Sequence, residues 1–172
     1  MAVALRRFTT NDLRQYQAWL EAIDAQCYMS HWFPASFDGH IVNENPNVCW
    51  FVIVYNDLDA GSVWLEREDA KDYVVQLGIL IGREELLGKG IGQEAIEQAI
   101  LATETDIPFT AVRLNVRKDN TRAIACYMAC SFRMVGQGVK TNAKGERIEF
   151  LTMERVTPNN SLKQTPIKPG AA

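Results

Sequence analysis

Leu77-Gly78-Ile79-Leu80-Ile81-Gly82-Arg83-Glu84-Glu85-Leu86-Leu87-Gly88-Lys89-Gly90-Ile91-Gly92-Gln93-Glu94-Ala95-Ile96 begins as a strand, crosses a glycine turn and enters a helix. The strand reaches back to Tyr73 and is almost continuously apolar, as expected for a strand covered on both faces in mid-sheet. After Gly92, Ala95, Ile96, Ala99 and Ile100 form an apolar helical stripe, and Pro108 closes the connection. Glycines let a backbone approach a ligand closely, and the free N–H groups at a helix start suit an anion such as a pyrophosphate. A ligand-free glycine turn remains open on this segment alone, because such turns are common at strand–helix junctions.

Other phosphate loops fit less well. A Walker A loop has four residues between its first Gly and Gly-Lys-Ser/Thr; here five separate Gly82 from Gly88, and Gly90 stands where the hydroxyl belongs. The dinucleotide fingerprint needs G-x-G-x-x-G, whereas the spacing here is G-x-G-x-G.

Working outward, Ala2 to Phe8 reads as a strand, and Thr9 or Thr10 caps a helix carrying Leu13, Tyr16, Leu20 and Ile23 at helical spacing. Residues 27–47 are irregular, with Pro34, Gly39, Pro46 and several aromatics. Cys49 to Tyr55 and Gly61 to Glu66 form an antiparallel pair about Asn56-Asp57. Ala111 to Arg117 alternates as a strand, Asn120 caps a helix with Ala123, Tyr127 and Cys130, and strands follow around Phe132–Val135 and Arg147–Glu154. The order βα(α)βββαβαββ predicts an α/β fold with a mixed sheet, parallel in the centre and hairpinned at the flanks.

The chain has 172 residues and 47% apolar content, enough for one domain with a sizeable core. No apolar run approaches the roughly 18 to 20 residues needed to span a bilayer, and the N-terminus is a poor signal peptide, so a cytoplasmic location is expected. Cys27, Cys49, Cys126 and Cys130 form no C-x-x-C pair and read as packed thiols; with His31 and His40 they make no zinc spacing, so no metal is expected. Residues 1–72 carry 5 Lys+Arg against 11 Asp+Glu, and residues 73–172 carry 13 against 10. That division suits an anionic ligand on the second part and a cationic one facing the first, although solvated surface charge explains it equally well. Overall acidity disfavours nucleic acid. The domain is assigned to residues 1–156, and residues 157–172, rich in proline and poor in apolar residues, to a disordered tail. Within the tail, Asn159 to Pro166 resembles the translated recombination site of integron gene cassettes.

Two motifs together carry a family resemblance. The stretch from Leu77 to Ile96 resembles the Q/R-x-x-G-x-G/A motif and preceding strand of the GNAT superfamily of N-acetyltransferases. Leu114 to Phe132 is similar to that family's N-x-R-A-x-x-x-Y-x-x-x-G-F block. Among its branches, the chain most resembles ribosomal-protein N-terminal acetyltransferases and aminoglycoside 6'-N-acetyltransferases. The resemblance implies a central mixed, mostly antiparallel sheet of six to seven strands flanked by helices. It implies transfer of acetyl from acetyl-CoA to a primary amine of a small cationic acceptor: an aminosugar, a polyamine or a peptide N-terminus. A homodimer would be compatible with it.

It also implies roles. Ile79, Leu80 and Ile81 would pair through their backbone with pantetheine, and Leu87, Gly88, Lys89, Gly90, Ile91 and Gly92 would hold the pyrophosphate. Asn115, Asn120, Arg122, Ala123 and Tyr127 would border the cofactor, with Tyr127 as general acid. Leu87 occupies the family's Q/R position, the loop is one residue longer than usual, and Ser131 replaces a common Gly. In that family main-chain N–H groups make most of the phosphate contacts, so the resemblance implies cofactor binding in spite of the changed position and the longer loop.

The base is expected at Glu66, for which an exposed surface position is the competing reading. Near Gly78, where aminoglycoside enzymes carry an acid, only Gln76 is close. Trp32, Phe33, Asp38 and Glu44 are expected to meet the acceptor, since aromatic faces and carboxylates attract ammonium; core packing and solvation are the alternatives. A non-catalytic acyl-CoA-binding domain is the competing function, and the presence of both Asn120 and Tyr127 speaks against it.

Overall fold

The protein is seen here as a computed structural model in which residues 2–25, 31–39, 45–142 and 144–158 are described. The strands are β1 (Val3–Arg7), β2 (Val48–Tyr55), β3 (Leu58–Glu66), β4 (Val74–Ile81), β5 (Ala111–Arg117), β6 (Arg133–Thr141) and β7 (Arg147–Val156). The helices among the described residues are α1 (Leu13–Ala22), α2 (Ile91–Glu104) and α3 (Thr121–Ala129). All seven strands join one sheet in the order β1-β2-β3-β4-β5-β7-β6. β4 is the middle strand, as its apolar run predicts.

Only β4 and β5 pair in parallel; every other neighbour pair is antiparallel. The expectation of parallel crossovers through the centre therefore reduces to one, built by α2. The second crossover, through α3, carries the chain past β5 to the sheet edge, and β7 fills the gap. The last strands are also longer than expected, because the Asn142–Gly145 turn lets β6 and β7 run on as a hairpin.

Alternation divides the core between the two faces. Odd-numbered residues of β3 and β4, such as Val63, Leu65, Val75 and Leu77, pack with Val112, Leu114 and Val116 of β5 under Ala95, Ile96 and Ala99 of α2. Even-numbered Trp64 and Leu80 join Phe8, Tyr16, Trp19 and Trp50 beneath α1. In that aromatic cluster Phe8 stacks on Trp50 at 3.7 Å between ring centroids, and Tyr16 meets Trp50 edge-on at 5.5 Å.

α1 is preceded by a short 3-10 turn, Thr10–Asp12. The Asp12 carboxylate accepts from the Thr9 N–H and hydroxyl and also from Arg6, so the predicted cap carries an ion pair as well. Thr157 is buried and its N–H donates to the Thr110 carbonyl at 2.8 Å, which extends the β5 side of the sheet. Residues 159–172 lie outside the described residues.

Candidate active site

A cleft of about 1010 Å³ opens where the sheet comes apart. β4 and β5 pair at only three positions, Val74 with Ala111, Val75 with Val112 and Gln76 with Arg113. Beyond them β5 stays paired with β7 along its whole length, Ala111–Arg117, while β4 stays with β3 up to Ile81. Each strand keeps its antiparallel partner and the parallel pair splays. From Leu77 to Ile81 the β5-facing edge of β4 has no ladder partner, and extended backbone in that state calls for an external hydrogen-bonding chain.

The loop after β4 opens onto the same cleft. Gly88 and Gly90 have φ of +75° and +79°, the left-handed region that other residues enter at a cost, and nothing lies within 4 Å of where a Cβ would stand. Gly90 is the N-cap of α2, and no side chain caps that helix. Its first N–H groups therefore lack the usual internal partner and sit at the positive end of the helix dipole. Gly88, Gly90, Ile91, Gly92 and Gln93 all line the cleft. Ile91 buries its side chain in the core and so offers only its backbone.

α3 forms the opposite wall. The Asn120 side chain accepts from the Ala123 N–H at 3.2 Å, the cap expected from sequence. Asn115 of β5 accepts from the Thr152 hydroxyl at 2.8 Å. Asn115, Asn120, Arg122, Ala123 and Tyr127 all line the cleft, as do Ile79, Leu80, Ile81 and Leu87. Of the expected cofactor residues only Lys89 does not; its side chain is turned to solvent.

Tyr127 packs edge-on against Phe132 at 6.0 Å. Among the described residues no group hydrogen-bonds its hydroxyl. Burial, followed by the neighbouring Cys126 and Cys130 thiols, raises its pKa above the ordinary tyrosine value, so it stays protonated through neutral pH. Those thiols lie one turn apart on α3, and their shared hydrogen bond lowers the pKa of Cys126 and raises that of Cys130.

The cleft passes through the sheet to the α1 face, where the lining is acidic. Asp24, Glu66 and Glu68 lie there with His31, Gln76 and Trp64. Glu66 is 6% exposed, which overturns the reading of it as a surface residue. Arg113 also faces the cleft, but Glu154 neutralises it at 2.6 Å.

The acceptor residues expected from sequence fare differently. Phe33 belongs to the aromatic core, meeting Tyr16 at 5.3 Å and Phe37 at 5.1 Å. Trp32 is exposed, and its carbonyl accepts from the Tyr16 hydroxyl. Neither of them lines the cleft, nor does Asp38; Glu44 lies outside the described residues. Asp24 and Glu68, which the sequence reading did not single out, line the cleft on this face instead. Strand alternation was the available signal for Trp64, because it puts that residue and Glu66 on one face.

A family model for the acetyltransferase (GNAT) domain matches residues 2–133. The chain belongs to the GNAT acetyltransferase family. Acetyl-CoA is accordingly its acyl donor, and the open glycine loop, uncapped helix start and free β4 edge fit that molecule's phosphates and amides.

Solved structures with the same fold include a GNAT acetyltransferase from Streptococcus pneumoniae, at 18% identity and TM-score 0.70 over 91% of this chain and 100% of that one. Spermidine N-acetyltransferase from Vibrio cholerae, solved with CoA and spermine, is similar at 21% identity and TM-score 0.72 over 91% and 96%. Aminoglycoside acetyltransferase AAC(6')-Ib, solved with coenzyme A and kanamycin, is similar at 19% and TM-score 0.69 over 95% and 100%. A search of curated protein sequences returns no match. No helix among the described residues is long and apolar enough to cross a membrane.

Proposed function

We propose that this acetyltransferase passes acetyl directly from acetyl-CoA to a primary amine of a small cationic acceptor. The observation that carries the reading is one cleft with two chemically different mouths. On the α2 side are orphan N–H groups and Arg122; on the α1 side are Asp24, Glu66 and Glu68. A polyanionic donor and a polycationic acceptor would each be drawn to its own mouth. Spermine and kanamycin, present in the two amine-acetylating relatives above, are both polyamines, which supports the acceptor class.

In this reading the Leu87–Gly92 backbone and the first turn of α2 hold the pyrophosphate. The free edge of Ile79–Ile81 pairs with the amides of the pantetheine arm, while Asn115, Asn120, Arg122 and Ala123 border it. Holding donor and amine together across the splayed strands supplies much of the acceleration. Tyr127 acts on the leaving sulfur. A thiol has a pKa of about 8.5, and a phenol raised above about 10 gives up its proton less readily than that. The Tyr127 hydroxyl therefore serves as a hydrogen-bond donor to the developing thiolate. The acceptor gives its ammonium proton to solvent and attacks as the neutral amine, and the second proton, shed by that nitrogen as the C–S bond breaks, completes the thiol through solvent. The need for acetyl-CoA supports a cytoplasmic location.

Thiol release from acetyl-CoA, measured over a panel of amines at increasing salt, tests the assignment. Cationic amines are expected to turn over fastest, with intersecting initial-rate patterns and a kcat/KM that falls as salt rises. Neutral or anionic amines outperforming them, with no salt dependence, would remove the acceptor class.

A further inference from the structure

Glu66 ends β3 beneath the cleft, and its carboxylate is already engaged. The Ala35 N–H donates to Oε1 at 2.6 Å; the Ser36 N–H and hydroxyl donate to Oε2 at 3.4 and 3.3 Å. The turn they belong to is closed by the Phe37 N–H donating to the Pro34 carbonyl at 3.0 Å. Phe33 and Phe37, on either side, stack on each other and press against Trp50 at 6.3 and 5.5 Å. Aromatic packing thus holds the flanks of the turn while one buried carboxylate holds its middle. Ala35 and His31, carried by this segment, line the acidic mouth.

The next residue secures the far end of the same irregular stretch. Arg67 donates its N–H to the Asn47 carbonyl at 2.8 Å and its guanidinium to Asn47 Oδ1 at 2.9 and 3.1 Å. Consecutive residues at the end of β3 therefore fasten the Pro34–Phe37 turn and Asn47, the residue just before β2. A base needs a lone pair aimed at the substrate's proton, whereas three of the roughly four lone-pair positions of Glu66 already receive donors from the protein.

We infer that Glu66 is a positioning residue: it seats the Pro34–Phe37 turn as the wall of the acceptor mouth and so selects among amines, rather than taking the proton. This rests on the proposal that the acceptor enters from the α1 face. Removing the carboxylate leaves the donor side of the cleft intact and loosens the wall that the acceptor meets. Ser36→Ala weakens the same latch without touching Glu66.

The test compares wild type, Glu66→Gln and Ser36→Ala with spermidine, kanamycin and a dipeptide as acceptors. In Glu66→Gln the KM of the best amine is expected to rise about 10-fold or more, with a smaller fall in kcat. The acid limb of the kcat/KM profile keeps its wild-type position, and acetyl-CoA affinity holds. Ser36→Ala shifts KM in the same direction by about 2- to 5-fold, and both variants change the preference among the three amines. Hydrogen exchange at the Ala35 and Ser36 amides speeds up in Glu66→Gln, a readout independent of turnover. A kcat loss of about 100-fold with the acid limb gone would make Glu66 the base and overturn the inference. So would unchanged amide exchange, or a lowered Tm with KM and amine preference unmoved. Wild-type protein that releases no thiol with any amine would instead defeat the proposed function, leaving the exchange data to judge the latch.

Discussion

Tyr16 and Tyr127 make the sheet's two sides comparable. Burial raises the pKa of both phenols, yet the Tyr16 hydroxyl donates to the Trp32 carbonyl inside a closed aromatic cluster, whereas that of Tyr127 has no partner among the described residues and borders a cleft. The glycines repeat the contrast. A Cβ at Gly78 would run into the Trp64 indole and one at Gly82 into that of Trp19, while Gly88 and Gly90 have open space around them. Inside the aromatic cluster beneath α1 the chain meets its own needs; along the splayed strands it leaves hydrogen-bonding groups and room unfilled. The candidate site lies where the fold leaves such needs unmet; residue type alone does not separate the two tyrosines or the two pairs of glycines.

The largest effect is expected where an unmet site is blocked. Gly90→Asp places a carboxylate at the positive end of α2, against the space assigned to the pyrophosphate. Its backbone strain costs only about 1 kcal/mol, so the protein should still fold. Acetyl-CoA affinity is expected to fall at least about 100-fold, nearly 3 kcal/mol, with loss of the donor-induced rise in Tm. A folded variant that binds acetyl-CoA as well as wild type would break the comparison on the cleft side.

The two sides were unequally legible in sequence. The cofactor side announced itself because its chemistry is backbone chemistry: Gly88, Gly90 and the capped start at Asn120 are local features, readable wherever they occur. Strand order beyond β5 was not local. Nothing within Phe132–Glu154 says that β7 inserts between β5 and β6, where it pairs with all of β5 while β4 pairs with β5 at only three positions. The proposed acceptor mouth was the least legible, because Asp24 follows α1 while Glu66 and Glu68 lie at and just after the end of β3, and these two places meet only through the fold. Phe33 and Phe37 illustrate the ambiguity: aromatics in an irregular segment can line a ligand or staple the segment to the core, and here they staple it.

Exchanging each tyrosine for phenylalanine sharpens the contrast. Tyr127→Phe should lower kcat about 10-fold or more with acetyl-CoA affinity nearly retained, because the lost hydrogen bond forms mainly in the transition state. Tyr16→Phe should leave turnover within about 2-fold and cost about 1–2 kcal/mol of stability, since it orphans the Trp32 carbonyl. Urea melts beside steady-state rates on both variants decide it; the reverse pattern would exchange their roles.

Adding one methyl to each kind of glycine is a subtler probe. Gly78→Ala forces the Trp64 indole into a cluster that already holds Trp50 at 6.1 Å, an overpacking expected to cost about 1–3 kcal/mol. Gly88→Ala meets no atom and carries only left-handed strain of about 1 kcal/mol. Equal destabilisation by the two, read from Tm, would mean that Trp64 can move aside and that the α1 side is less tightly packed than the ring distances imply.

The smallest effect concerns alkaline pH, and its sign follows from the raised phenol pKa values. Tyrosines of the unfolded chain lose their protons near pH 10, while Tyr16 and Tyr127 keep theirs in the folded protein. Above that pH the unfolded state binds fewer protons than the native one, so stability falls as pH rises; below about pH 9 the two phenols contribute no slope. Each accounts for a loss of at most about 1.5 kcal/mol by pH 11. Cys49 and Cys130, also raised, act in the same direction from a lower starting pH, whereas Cys126 opposes them. The side of the sheet decides the relative size. Tyr16 is fully enclosed, whereas water entering the cleft can solvate a Tyr127 phenolate, so Tyr16→Phe should flatten the alkaline limb more than Tyr127→Phe. Denaturant midpoints from pH 8 to 11 on the two variants measure this, and a larger flattening from Tyr127→Phe would mean that the cleft keeps water from that hydroxyl as completely as the aromatic cluster keeps it from Tyr16.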